Sequence, residues 1–109
     1  MQCLKQHAHT LQALSKARGA VQKKILKVAK AGVVRAICQC ASNTLKGNIP
    51  LSRMHKSRLA RHKSLLRKLA SKVLSLKKKK KLLLQGGTGL LPLLLGPILS
   101  TLAGTLFSR

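Results

Sequence analysis

Residues 52–81 read SRMHKSRLARHKSLLRKLASKVLSLKKKKK. Met54, Leu59, Leu66, Leu69, Val73 and Leu76 recur mostly at steps of three, four and seven, which predicts an amphipathic α-helix. Leu65 and Ala70 widen the stripe, Ser52 is placed to cap the helix, and Leu51 to staple it. The other faces carry Arg53, Lys56, Arg58, Arg61, Lys63, Arg67, Lys68 and Lys72, and the helix runs into Lys77, Lys78, Lys79, Lys80 and Lys81. Like charges at i,i+4, such as Lys63 with Arg67 and Lys68 with Lys72, destabilise an isolated helix by a few tenths of a kcal/mol each. Cations near a helix C-terminus recover part of that through the dipole. This segment is therefore expected to tighten when phosphates neutralise it.

Upstream, residues 1–43 contain no proline, and their only glycines are Gly19 and Gly32. Leu4, Leu11, Leu14, Val21, Ile25 and Val28 keep helical spacing, and Val33, Val34, Ile37, Cys38 and Ala41 continue an apolar face after a phase shift. The expectation is one long helix weakened at Gly32, or two shorter ones. Asn43, Gly47, Asn48 and Pro50 mark a loop over 44–51. Downstream, residues 82–108 carry no charge and are rich in Leu, with Gly86, Gly87, Gly89, Pro92, Gly96, Pro97 and Gly104 as punctuation. That stretch is long enough for a bilayer core of about 30 Å, although two prolines five apart make a poor straight helix. Residues 1–20 lack the continuous apolar run of a signal peptide. The expected class is all-α: amphipathic helix over 1–43, loop at 44–51, basic helix and lysine run at 52–81, apolar tail at 82–109. The isolated chain is expected to be partly disordered without a polyanion.

The charge balance restricts function. The 109 residues contain 23 Lys plus Arg and no Asp or Glu, a net charge of +23. With charged residues at their usual share, an acid-free chain of this length has a chance of roughly one in a million. Without side-chain carboxylates there is no carboxylate acid/base pair, no Asp-supported triad and no Ca²⁺ or Mg²⁺ site built from acidic side chains. The chain therefore reads as non-enzymatic and without a cofactor. Its self-repulsion asks for an anionic partner, nucleic acid or an anionic membrane. Three cysteines form no disulfide framework and suit a reducing compartment.

For nucleic acid, a helix with cations on most faces follows a phosphate backbone by counterion release. Eight engaged cations would make log K fall against log salt with a slope of about −7. No zinc-finger spacing, RRM motif or stacking ring before Phe107 marks a base reader, so binding is expected to ignore sequence. His55 and His62, seven apart among cations, read as further polyanion contacts. Cys38 and Cys40, with Cys3, His7 and His9, do not have zinc spacing. Two thiols two residues apart on a helix point about 200° from each other. Buried helical cysteines are the better reading, with no metal site. Gly86-Gly87-Thr88-Gly89 lacks the Lys-Ser/Thr ending of a phosphate-binding loop.

The lysine run, then Leu84-Gln85-Gly86-Gly87-Thr88 and Leu90-Leu91-Pro92-Leu93-Leu94-Leu95, resembles the C-terminal part of the adenovirus core protein X (mu) precursor. Ile37-Cys38-Gln39-Cys40-Ala41, the loop from Asn43 to Pro50, the basic helix and the apolar end together resemble the small basic protein of Polinton/Maverick elements and adintoviruses. The resemblance covers about residues 35–109 and implies packing of viral DNA by charge neutralisation, in the virion core or the host nucleus, beside capsid proteins. It also implies a maturation protease cutting between Gly87 and Thr88, with Leu84 and Gly86 completing the recognised pattern. This chain departs from adenoviral mu in preferring Lys to Arg and in its longer N-terminal helical segment. The alternative is a cationic membrane-active or tail-anchored protein using residues 82–108, with the lysine run on an anionic leaflet.

Overall fold

The computed structural model describes residues 6–17, 19–47, 49, 51–86 and 89–106, with 100–106 described by backbone alone. The described residues are all-α: α1 (Ala8–Lys16), α2 (Gly19–Val28), α3 (Ala31–Leu45), α4 (Arg53–Ala60), α5 (Lys63–Ala70), α6 (Leu76–Gly86) and α7 (Leu90–Leu106). The radius of gyration is 12.8 Å, against about 13 Å for a folded domain of this length. The helices are thus folded back on one another rather than strung out.

Helix α3 is the centre. Val33, Val34, Ala36, Ile37, Cys38, Cys40 and Ala41 are all buried, and between them only Arg35 and Gln39, four apart on one face, reach solvent. α3 packs on α5, α6 and α7, while α7 also packs on α1 and α4, and α2 on α6. Around it the core is mainly leucine: Leu11 and Leu14 of α1, Leu59 of α4, Leu66 and Leu69 of α5, Leu83 of α6, and Leu90, Leu91, Leu94, Leu95, Ile98 and Leu99 of α7. The uncharged stretch from Leu82 thus supplies the largest share of the buried leucines.

The N-terminal segment breaks twice. At the first break Ala17 is extended and Gly19 takes φ +57°, the left-handed region that glycine enters without a Cβ clash. Gln22, fully buried, folds back there and its Nε2 donates to the carbonyls of Leu14 (3.1 Å) and Ala17 (3.3 Å), while its Oε1 has no partner. The break resets the helical phase. α2 therefore buries Gln22 and Leu26, and Val21 and Val28, 58% and 82% exposed, leave the stripe they share with Leu14 in the sequence. The second break falls at Ala29–Lys30 rather than at Gly32. Gly32 sits inside the first turn of α3, where its missing Cβ makes room for the His7 ring.

The basic segment also differs from the single helix expected. Ser52 caps α4 as its position suggests, its Oγ accepting from the His55 N–H at 3.1 Å. The helix turns at Arg61–His62, resumes, and stops at Ser71. Ser71 Oγ accepts from Val73 N–H (3.1 Å), a local bond at the end of α5, whereas Ser75 Oγ accepts from Lys78 N–H (3.3 Å) and so caps the start of α6. Val73, between them, is 92% exposed instead of core. The lysine run belongs to α6, which continues through Leu84 to Gly86.

Candidate nucleic-acid interface

The fold spreads its cations outward. Among the described residues every Lys and Arg is exposed except Lys79 and Lys80. α4 and α5 bury Leu59, Leu66 and Leu69 inward. This leaves Arg53, Lys56, Arg58, Arg61, Lys63, Arg67 and Lys68 on the solvent side, with Lys72 following on the Ser71–Ser75 connection.

The lysine run divides by its packing. Lys77, Lys78 and Lys81 are exposed. Lys79 is 8% exposed, and its ammonium lies near enough to Cys38 to favour the thiolate there. Lys80 reaches across 51 and 53 residues of chain, its Nζ donating to the Ala29 carbonyl (3.0 Å) and the Lys27 carbonyl (2.9 Å). Those carbonyls close the C-terminal end of α2, where helical partners run out and the dipole favours a cation. Two of the five lysines that read alike in sequence therefore hold the fold, and three face solvent.

A depression of about 1110 Å³ in this surface lies where α1, α4 and α7 meet. Lys16, Arg58, Arg61 and His62 surround it, and Gly89, Pro92 and Leu93 form its apolar side. Lys16 comes from the N-terminal segment, 42 residues before Arg58, and no periodicity links it to the basic block; only the docking of α1 on α7 brings it there. With no Asp or Glu in the chain, the cations around this cleft give it a positive potential. His62 lines it, whereas His55 is taken up by the fold: its Nε2 is 2.6 Å from the Leu93 carbonyl oxygen.

Leu84 is half-buried on α6 and Gly86 is exposed at its end, whereas Gly87 and Thr88, the expected cleavage point, lie outside the described residues. Cys38 and Cys40 are both buried and free on α3. Burial raises the Cys38 thiol, opposed by the Lys79 ammonium, and burial together with neighbouring Cys38 pushes Cys40 up to about 12. Among the described residues no three His or Cys side chains cluster in a way that could hold a metal ion; Cys3 lies outside them. No single described helix is long and apolar enough to cross a membrane; α6 and the part of α7 to Leu99 reach that length and composition only as a pair bent by 110°. No protein family, curated protein or solved structure matches this chain.

Proposed function

We propose that this chain is a non-enzymatic, sequence-independent DNA-binding and condensing protein, the core protein of a virus-like element, made as a precursor cut after Gly87. The observation that carries the DNA-binding part is the exposure of nearly every described cation on a fold with no acidic residue to neutralise it. Phosphate contacts without base-reading side chains give affinity and no sequence preference. The viral setting, the capsid and protease partners, and the virion-core or nuclear location rest on the sequence resemblance alone. Self-repulsion loosens the isolated chain, and a polyanion tightens it.

Duplex affinity measured against salt tests the reading. The expected result is a steep linear fall of log K with log salt and equal affinity for unrelated sequences. A flat response, or strong preference for one sequence, overturns it. Coexpression with the element's own protease and intact mass tests the cut; an unchanged mass removes the precursor claim.

The second reading, a membrane-active tail, draws on the bent α6–α7 pair. It requires α7 to leave α1, α3 and α4, because Leu90, Leu91, Leu94, Leu95, Ile98 and Leu99 are buried against them. Alkaline extraction of membranes distinguishes it: a tail that resists extraction, with no DNA bound, favours the membrane.

A further inference from the structure

Two smaller depressions continue the basic cleft. One, of about 360 Å³, shares Arg61 and His62 with it and adds Ser64, Leu65, Lys68, Leu82, Gln85 and Gly86. The next, of about 520 Å³, shares Lys68, Leu82 and Gln85 with the second and adds Leu74, Lys78 and Lys81. The shared residues set the three depressions side by side as one trough-like row, from Lys16 at the α1 end, along α5, to Lys81 on α6. Its cations in order are Lys16, Arg58, Arg61, Lys68, Lys78 and Lys81, all exposed. Its neutral lining mixes leucine with glycine, serine, Pro92 and Gln85.

Resting on the DNA-binding reading, we infer that this trough is the track for one sugar-phosphate strand of a duplex, and that cations of the same basic segment lying outside it contribute little. The strand is a ridge that enters a trough lined by cations, whereas a bilayer presents a surface that does not. One DNA strand offers a charge about every 3.4 Å of axis, so a line of cations meets a line of phosphates. Arg53, Arg67 and Lys72 are exposed too and belong to the same stretch of sequence as Arg58, Arg61 and Lys68, yet line none of the three depressions. Lys16, far away in sequence, lines the first.

Six engaged cations set the slope of log K against log salt at about −5. The test compares the full-length R58Q/R61Q/K68Q triple variant with the R53Q/R67Q/K72Q triple variant, which loses the same charge from the same segment, and includes K16Q. Circular dichroism checks that each keeps its helix content. The expected result is a slope near −3 for the trough variant, about one unit lost in K16Q, and the wild-type slope in the control. Equal losses in the two triple variants, or no effect of K16Q, overturn the track. A trough variant that loses binding to phosphatidylserine vesicles but not to duplex overturns it as well. A wild-type chain without salt-dependent duplex binding defeats the DNA-binding reading itself, which is a separate outcome.

Discussion

His55 Nε2 lies 2.6 Å from the carbonyl oxygen of Leu93, and Leu93 stands four residues before Pro97. In an α-helix that carbonyl accepts from the N–H of residue 97, which proline does not have. A carbonyl can only accept, so the imidazole donates, carrying its proton on Nε2. The side chain of the basic segment thus supplies the donor that the apolar helix lacks. Pro92 needs no such help, since it occupies the first turn of α7, where N–H groups have no helical acceptor.

The His55–Pro97 relation predicts a thermodynamic coupling. H55A is expected to destabilise the chain by about 1–2 kcal/mol, the cost of leaving a part-buried carbonyl without its donor. In a P97A background residue 97 provides the N–H, and H55A costs less than half as much. Urea denaturation of the four proteins measures the cycle; additive effects contradict the coupling.

Lysines of one run are expected to behave in opposite ways. K80M removes both hydrogen bonds at the end of α2 and is expected to cost about 1 kcal/mol. K79M keeps the packing of a buried stem while dropping an ammonium that no carboxylate offsets, and is expected to stabilise by on the order of 1 kcal/mol. K77M and K78M should be neutral or slightly stabilising, because they only relieve repulsion. Thermal melts at low salt rank the four; K80M melting with K77M would contradict its capping role.

Cys38 and Cys40 set an alkaline limit on stability. Both thiols ionise above their ordinary value of 9.0 in the folded chain, Cys40 near 12. Between those values the native state holds protons that the unfolded state has released. The stabilising difference is whole below pH 9 and is lost as pH rises, by up to about 1.4 kcal/mol per pH unit for each thiol. Denaturation between pH 8 and about pH 10 should show the fall in wild type and a flatter profile in C38A/C40A. Native wild type should also react slowly with a thiol reagent at pH 8 and fast in urea.

Gly32 and His7 give a second cycle. A Cβ at position 32 collides with the His7 ring, so G32A in wild type gains little from the better helix former, or loses stability. With H7A in place the space is open, and G32A is expected to stabilise by up to about 1 kcal/mol. Equal effects of G32A in both backgrounds would mean that the ring does not occupy that space.

Much was legible from residue order alone. The all-α class follows from apolar spacing at three, four and seven, the Ser52 cap from its place before a basic amphipathic run, and the burial of Cys38 and Cys40 from their company of Val, Ile and Ala. The positive surface follows from 23 cations without an acid. Periodicity carries these because it is a property of neighbours along the chain. Even there Val73 misled, since Ser71 bonds locally where α5 ends and Ser75 caps a new helix, leaving Val73 on the connection between them.

Which lysine is structural and which is free was decided only by folding. Nothing in five identical residues distinguishes Lys79 and Lys80; they differ because α6 lies against α3 and α2, and only those two registers face Cys38 and the end of α2. The same holds for Lys16 beside Arg58 and for His55 beneath Leu93. Charge and hydropathy along a chain set how much cation and how much apolar surface there is. Where each side chain sits depends on contacts between residues tens of positions apart, and those exist only once the uncharged C-terminal leucines have gathered the other helices around them.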